Sequence, residues 1–298
     1  MTGFDSLPQA PLQRLELSWL RPFGIELAVL RLDLIDPLIS GNKWFKLLEH
    51  LRLAQAAGSP GVISLGGAYS NHLHALAAAG KRFGFATAGL LRGHAQDTPT
   101  VRDLQAFGMQ LHWLGYAGYR ARHQADFWHP WQALYPSWHC VPEGGGGPLG
   151  AKGCALIVKQ ARAQLPALGW ADYDGWWLAA GTGTTLAGLV QAEAGVHPVF
   201  GALAVPKDHG VKVAVEALSG RQGYVLHDAS RGGFAKVDAQ LQAFIEACEA
   251  EAGLPLEPLY TGKALLALCE QVEAGVFAPG TRLIFLHSGG LQGRRGFA

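Results

Sequence analysis

Short apolar runs alternate with helical segments along the chain, and several of these runs end in glycine. The run GVISLGG precedes the helical segment SNHLHALAAAGKRFG, and the later run WWLAAGTG precedes TTLAGLVQAE in the same way. Strands that alternate with helices predict an α/β fold built on a parallel sheet. Ligands of such sheets bind beyond the carboxyl ends of the strands, where these glycine turns lie.

Composition narrows the classes of function. The 298 residues carry a formal net charge of +1 and are only 16% charged, against a usual share of about 25%, so the charge indicates neither nucleic acid nor a membrane surface as partner. Because 49% of the residues are hydrophobic, intrinsic disorder is not expected. The 40 glycines are about twice the usual share, as is common in α/β enzymes whose loops approach a ligand.

Export, membrane insertion and metal binding are not indicated. Four cysteines are scattered without a CxxC pair, which favours free thiols in a reducing compartment. His72 and His74 are two residues apart on a predicted helix, so they face different sides and make a poor metal pair. The first residues lack a basic segment followed by an apolar run, and no apolar run reaches about 18 residues. We expect a cytoplasmic enzyme without a metal site.

The sequence leaves the structural role of two segments open and predicts a third to be irregular. Residues 113–138 hold eight aromatic side chains, which favours a packed surface or interdomain segment, with a lid or subunit contact as the alternative. The four glycines at 144–147 form either a flexible connection or a loop that approaches a ligand. Residues 219–234 are expected to be irregular.

The segment GTGTTLAG, residues 181–188, is the first candidate for chemistry. Its glycines give backbone freedom, its threonines supply hydroxyls, and the amides of the helix that it opens favour an anion such as phosphate. A merely tight turn is the alternative. No GKT or GKS follows, and Leu186 replaces the third glycine of GxGxxG, so neither a Walker loop nor a dinucleotide fingerprint is supported.

Two further segments carry candidate groups. In SGNKWFKL, Lys43 and Lys46 share one helical face; clustered lysines usually mark a solvated surface. With a phosphorylated aldehyde, however, one amine forms a Schiff base and the other holds the anion. In GGAYSNHLHAL, Ser70 and Asn71 either cap a helix or present a hydroxyl and an amide at the mouth of the sheet.

Five motifs together resemble one enzyme family. GNKWFKL, SLGGAYSNH, AAGTGTTLAG, PLYTGKAL and LHSGG occur in the order and approximate spacing of the enzymes grouped as 1-aminocyclopropane-1-carboxylate deaminase and D-cysteine desulfhydrase. The resemblance covers nearly the whole chain from about residue 27 onward. It implies pyridoxal 5'-phosphate as cofactor and the tryptophan-synthase-β-like fold (fold type II), an α/β fold of two domains with open parallel sheets.

The resemblance implies a role for each matching residue. Lys43, preceded by Asn42, is similar to the lysine that forms the internal aldimine, and Lys46 to the lysine that contacts the cofactor phosphate. Ser70 resembles the active-site serine, near the substrate carboxylate or poised for proton transfer, and Asn71 the asparagine beside the phenolic oxygen. The other matches are Gly181, Thr182, Gly183, Thr184 and Thr185 in the phosphate cradle, Tyr260 near the cofactor ring, and Ser288, where desulfhydrase-like members often carry threonine near the pyridine nitrogen.

Departures from the family pattern bear on the substrate. Deaminases of the cyclopropane substrate carry a glutamate after the tyrosine that matches Tyr260, where this chain has Thr261. They also carry a second active-site tyrosine in the region of Phe234, which has no proton to donate. Both changes disfavour ring opening, and YTGKA is the desulfhydrase-like form. Tyr69, in contrast, stands where both activities usually have glutamine. The expected substrate contacts are Tyr69, Ser70, Asn71 and Tyr260, and the expected catalytic residues are Lys43, Ser70 and Tyr260.

The sequence thus predicts a pyridoxal-phosphate lyase for a small amino acid. D-Cysteine or a β-substituted D-alanine would undergo α,β-elimination to pyruvate, ammonia and sulfide or another leaving group. Lys43 or Ser70 would move the Cα proton and Tyr260 would assist. Three alternatives stay open: a cyclopropane deaminase that forms 2-oxobutanoate, a non-catalytic binding or regulatory homologue, and a dinucleotide-dependent oxidoreductase, which the loop spacing disfavours.

For the architecture we expect two domains with the cofactor in the cleft between them. Residues 1–47 and 142–298 would form the large cofactor-binding domain, and residues 48–141 a smaller inserted α/β domain. The resemblance also implies a homodimer, with a small amino acid as substrate and no nucleic-acid or membrane partner.

Overall fold

The computed structural model describes residues 3–4 and 7–296. Its strands, in chain order, are β1 (Leu12–Arg14), β2 (Glu26–Arg31), β3 (Gly61–Gly66), β4 (Ala86–Leu91), β5 (Gln110–Trp113), β6 (His139–Cys140), β7 (Gly175–Ala180), β8 (Val199–Leu203), β9 (Tyr224–Asp228) and β10 (Arg282–His287). Its α-helices are α1 (Asn42–Ala56), α2 (Asn71–Phe83), α3 (Pro99–Ala106), α4 (Gly115–Arg120), α5 (His129–Leu134), α6 (Gly147–Arg162), α7 (Thr184–Glu193), α8 (Val211–Ser219), α9 (Ala239–Ala252) and α10 (Thr261–Glu273).

The first of two compact units comprises Met1–Pro8, Asp36–Gly153 and Gln292–Ala298. Its sheet has the order β5-β4-β3-β6, and every neighbouring pair is parallel. All of β3 is buried, as is typical of a central parallel strand. Residues 72–80 of α2 are also buried without interruption, so this helix is covered on all sides.

The aromatic segment 113–138 packs against this sheet. Tyr119, Phe127 and Tyr135 are buried in one cluster with apolar side chains of β3 and β4. The predicted packing role of the segment is therefore confirmed within the first unit. Its connection to the following loop is polar: Glu143 accepts hydrogen bonds from the Tyr119 hydroxyl and, at 2.7 Å, from Arg122 Nε.

The second unit comprises Gln9–Ile35 and Cys154–Leu291. Its sheet has the order β1-β2-β10-β7-β8-β9, in which β1 is antiparallel to β2 and all other neighbours are parallel. The indole Nε1 of the fully buried Trp177 donates to the Ala264 carbonyl at 2.7 Å, which ties β7 to α10. Because β7 and β10 are parallel neighbours, residues 181–185 and Ser288 follow them at the same edge of the sheet.

The structure differs from the sequence-based expectation at one segment. Residues 224–228 are not irregular but form β9, a half-buried edge strand paired with β8. Elsewhere, α3 begins directly after Thr98, which caps it by accepting a hydrogen bond from Val101 N–H at 3.1 Å. The domain boundaries at residues 47 and 142 stay a prediction; the compact units divide the chain at other positions, and α1 lies wholly in the first unit.

Within residues 3–4 and 7–296, no helix is long and apolar enough to cross a membrane. The same residues contain no group of three or more His, Cys, Asp or Glu side chains placed to hold a metal ion. All four cysteines are free thiols.

Candidate active site

The two lysines of SGNKWFKL lie in the first two turns of α1, in the first unit. Gly41 precedes the helix with φ +69°, a conformation that favours glycine. Lys43 Nζ, half-buried, donates to Asn42 Oδ1 at 2.7 Å. Lys46 is only 4% exposed, so it is not a solvated surface lysine. A buried ammonium needs acceptors or an anion around it, which suits Lys46 to an anionic group.

Ser70 and Asn71 lie in the turn from β3 into α2. Ser70 is the N-cap, and its Oγ accepts a hydrogen bond from Leu73 N–H at 3.2 Å, so the capping role is confirmed. That bond uses an oxygen lone pair, and the hydroxyl proton can still be donated. The turn requires Gly66, where an added Cβ would lie 2.4 Å from Ser70 Oγ. Asn71 Oδ1 accepts from Gln292 Nε2 at 2.9 Å, which makes the Asn71 amide nitrogen the donor toward a ligand.

Residues 292–296, here called the C-terminal segment, contact the same turn. Tyr69 is 48% exposed, and its ring lies against Gly296, where an added Cβ would be 2.8 Å from Tyr69 Cε1. Arg295 forms an ion pair with Asp103 on α3. No motif in the sequence marked this segment, because its residues become site neighbours only through folding.

His72 is buried beside both lysines. Its Nε2 lies 2.8 Å from Ser64 Oγ. Burial, followed by the charges of Lys43 and Lys46, holds the pKa of His72 well below 6.5. A Cβ added at Gly145 would lie 3.0 Å from Lys46 Cβ and 3.3 Å from His72 Nδ1. The run of four glycines is therefore a packed loop beside the lysines rather than a flexible connection.

The GTGTT turn lies in the second unit, between β7 and α7. Gly183, with φ +78°, precedes the first residue of α7, so the amides of the first helical turn point toward the turn. Thr182 and Thr184 lie with their hydroxyl oxygens 3.3 Å apart. An added Cβ at Gly181 would be 2.8 Å from Tyr260 Cε1. Backbone amides and hydroxyls in this arrangement suit a phosphate group.

Tyr260 is held by a buried carboxylate that the sequence analysis missed. Glu257, 2% exposed, accepts hydrogen bonds from the backbone N–H groups of Leu259, Tyr260 and Thr261 at 2.6–2.8 Å. Thr261 Oγ1 also turns back to this carboxylate at 3.1 Å and is completely buried. Thr261 therefore fixes the turn, and its side chain is not presented to a ligand.

Phe234 and Lys263 complete the surroundings of Tyr260. The rings of Phe234 and Tyr260 meet edge to face with centroids 5.4 Å apart. Lys263 Nζ donates to the carbonyls of Ser230, Gly233 and Phe234 at 2.8–3.0 Å, which fixes the loop that carries Phe234. Burial lowers the pKa of Lys263 to about 8.

Ser288 is half-buried and follows a network of buried charges at the end of β10. His287 Nδ1 lies 3.1 Å from Asp33 Oδ1, and both side chains are completely buried. Arg31 donates to both oxygens of Asp33, at 2.8 and 2.6 Å. On its other side His287 Nε2 donates to the Pro255 carbonyl at 2.7 Å, so the backbone before Ser288 is held from two directions.

Residues 7–289 match the family model described as pyridoxal-phosphate dependent enzyme. The chain belongs to this family. Among curated relatives, a protein of Pyrococcus horikoshii named provisionally as a 1-aminocyclopropane-1-carboxylate deaminase is 27% identical over 92% of this chain and 87% of its own. The bifunctional D-cysteine desulfhydrase/1-aminocyclopropane-1-carboxylate deaminase of Arabidopsis thaliana, a mitochondrial protein, is 26% identical over 95% and 76%.

The pyridoxal-phosphate enzymes also include structural neighbours of this chain. The crystal structure of a homologue of 1-aminocyclopropane-1-carboxylate deaminase aligns with TM-score 0.79 and 24% identity, covering 97% of this chain and 93% of that one. The predicted fold type II, with its α/β architecture and parallel sheets, is thereby confirmed, as is the predicted dependence on pyridoxal phosphate.

The residues of each unit fit a part of this cofactor. The half-buried amine of Lys43 is of the kind that condenses with an aldehyde. The turn before α7 has hydroxyls and helix amides for a phosphate, and Gly181 keeps it free of a side chain.

Proposed function

We propose that the chain is a lyase that acts on D-cysteine or a β-substituted D-alanine. With one water consumed, α,β-elimination of D-cysteine gives pyruvate, ammonia and sulfide. The bound cofactor acts as an electron sink for the bond broken at Cα. The proposal agrees with the names of relatives in the family, which cover both desulfhydrase and deaminase activities.

The observation that carries the proposal is the environment of Tyr260. Thr261 replaces a glutamate of the deaminases, and its hydroxyl is bonded to Glu257. The Glu257 carboxylate in turn is occupied by three backbone amides. Phe234 covers Tyr260 with a ring that has no ionisable group. Proton-donating groups of the kind that ring opening requires are thus replaced, whereas β-elimination needs only removal of the Cα proton and departure of the β-substituent.

The chain's own residues then have distinct tasks. Lys43 would hold the cofactor through its amine, which lies 2.7 Å from Asn42 Oδ1, and this amine would also take the Cα proton. Ser70, the N-cap of α2, accepts a hydrogen bond from Leu73 N–H and would donate its hydroxyl proton to the substrate carboxylate. Asn71 would donate its amide N–H to the phenolic oxygen, and Tyr260 would assist proton movement. The family resemblance assigns phosphate contacts to Lys46 in the first unit and to residues 181–185 in the second.

The decisive experiment is pyruvate release from D-cysteine by the cofactor-saturated protein. We expect turnover in the wild type, none with Lys43→Ala, and unchanged turnover with Lys212→Ala, an exposed lysine on α8. Full turnover by the Lys43→Ala variant would overturn the assignment of the base. No pyruvate from any β-substituted D-alanine would overturn the proposed reaction.

The deaminase activity in the relatives' names is the second candidate. It is tested in the same assay by offering 1-aminocyclopropane-1-carboxylate and measuring 2-oxobutanoate. Release of 2-oxobutanoate without pyruvate from D-cysteine would replace our proposal with this one. Bound cofactor without exchange of the Cα proton of any amino acid would instead indicate a non-catalytic homologue.

Ser288 is proposed as the partner of the pyridine nitrogen. A hydroxyl leaves the ring less protonated than a carboxylate would, which moderates the electron sink and favours elimination. We expect Ser288→Asp to shift the absorption spectrum of the bound cofactor and to change the distribution of products, whereas Ser288→Thr should resemble the wild type. An unchanged spectrum and product distribution with Asp would contradict this role.

Two further expectations belong with this proposal. We propose that the enzyme is a homodimer and that it acts in the cytoplasm. Scattering at micromolar concentration should give the mass of two chains, and a monomer would show that the first part is wrong. Cell fractionation tests the second.

A further inference from the structure

The protonation pattern of His72 is fixed by its neighbours. Ser64 Oγ–H donates to the Val141 carbonyl at 2.9 Å, because a carbonyl can only accept. The same Ser64 oxygen, 2.8 Å from His72 Nε2, therefore accepts the imidazole N–H. With its proton on Nε2, the neutral ring has a lone pair on Nδ1.

This lone pair has no partner among residues 3–4 and 7–296, although the side chain is only 2% exposed. A buried acceptor without a hydrogen bond costs free energy and calls for a donor that arrives or reorients. Gly145 lies beside Nδ1, and a Cβ there would be 3.3 Å from Nδ1 and 3.0 Å from Lys46 Cβ. His72 Nδ1 and the stem of Lys46 thus border the same space.

The charges around the ring exclude a second proton. Burial and the positive charges of Lys43, Lys46 and, less strongly, His50 hold the pKa of His72 well below its usual value. The ring is therefore a permanent neutral acceptor next to cations at neutral pH. Lys46 is the more buried of the two lysines, and its stem is the one that borders the same space as His72 Nδ1.

We propose that His72 is a positioning residue for Lys46: its Nδ1 accepts one hydrogen bond from the Lys46 ammonium and so directs the other protons of that ammonium to the cofactor phosphate. This inference rests on the phosphate-binding role proposed for Lys46. It makes Ser64 the residue that sets the tautomer and Gly145 the residue that leaves room for the contact.

Two substitutions separate the nitrogens of His72. In His72→Gln, the side-chain amide reaches the position of Nε2 but offers no acceptor at the position of Nδ1. In His72→Asn, the amide oxygen takes the place of Nδ1 and the bond to Ser64 is lost. Dissociation constants are measured by titration for pyridoxal 5'-phosphate and for pyridoxal, which lacks the phosphate.

We expect His72→Gln to weaken binding of pyridoxal 5'-phosphate by roughly ten- to hundredfold and binding of pyridoxal by less than about threefold, since a charged hydrogen bond directed at the phosphate is lost. His72→Asn should restore most of this ratio. Equal weakening of both ligands by both variants, or no weakening by either, would overturn the proposal and leave His72 a packing residue.

A third variant guards against loss of folding in the first two. Ser64→Ala keeps the ring but frees its tautomer, so it should reduce the preference for the phosphorylated ligand in the same direction by a smaller factor. An unchanged preference in this variant would count against the proposal. Because the titrations contain no amino acid, their outcome is independent of whether D-cysteine is the substrate.

Discussion

At the scale of single residues, Lys263 shows a buried charge that organises a loop. The residue is 1% exposed, and its ammonium donates to three backbone carbonyls of residues 230–234. A neutral side chain of similar length would leave all three carbonyls without this donor. The loop carries Phe234, which lies against Tyr260. Lys263 therefore supports the surroundings of Tyr260 by holding this loop.

Lys263→Met is therefore expected to lower the free energy of unfolding by about 3 kcal/mol, the cost of leaving buried acceptors unpaired. Urea unfolding measures this change. Lys212→Met is the matched control: Lys212 is exposed and lies 3.9 Å from Glu216, and removal of such a surface pair should cost less than about 1 kcal/mol. Equal losses in both variants would contradict the anchoring role.

The sequence could reveal only those site residues that lie within motifs. Lys43, Ser70 and the GTGTT turn each stand next to glycines and helix starts, so local chemistry marks them. Gln292 carries no such mark, because only folding brings it to Asn71, 221 positions away. Glu257 lies three residues before Tyr260, but its role appears only in the hydrogen bonds of the folded turn. The three-dimensional partners of a recognised residue are therefore the part that sequence reasoning missed.

At the scale of elements, the C-terminal segment contacts and holds the turn before α2. Gln292 bonds to Asn71, Arg295 pairs with Asp103, and Gly296 lies on Tyr69. Asp103 Oδ2 also lies 3.2 Å from His74 Nε2, so Asp103 links the C-terminal segment to a buried side chain of α2.

A chain ending at Leu291 should retain its fold but bind pyridoxal 5'-phosphate about tenfold more weakly, because Asn71 loses the bond that orients its amide. Cofactor titration and the absorption spectrum of the bound cofactor measure the effect. A chain ending at Gly296 is the control and should match the full-length protein. If both truncations bind alike, residues 292–296 do not support Asn71.

Elements with strong local patterns were predicted well, and the others were not. The strand β3 and the helix α2 have buried runs bounded by glycine and a serine cap, and both were found at their expected places. The edge strand β9 escaped prediction, because glycine-rich segments flank it and its burial alternates weakly. Its pairing with β8 depends on tertiary structure, which the local sequence pattern does not show.

At the scale of the whole molecule, buried histidines set the response to acid. Burial lowers the pKa of His50 to about 4, while the same group in the unfolded chain titrates near 6.5. Between these values the unfolded chain binds a proton that the folded chain excludes, so the free energy of unfolding falls as pH falls. Burial also lowers the pKa of His72, His74, His139 and His287.

Urea unfolding between pH 7.5 and 4 should show a loss of stability to which His50 alone contributes about 3 kcal/mol. His50→Gln lowers stability at pH 7.5 but should flatten this dependence. The exposed His123 provides the control for the substitution itself, since His123→Gln should leave the stability at pH 7.5 unchanged. A profile as steep in His50→Gln as in the wild type would contradict the assignment.

The order of the six-stranded sheet has a consequence for how the chain folds during synthesis. β2 pairs with β10, and Arg282 Nε donates to Glu26 across 256 positions of sequence. The ribosome therefore releases β2 long before its parallel neighbour β10 exists, whereas β3 to β6 emerge within residues 61–140 and can pair at once. Closing so long a loop is slow, so the edge of β2 stays unpaired until β10 has been synthesised.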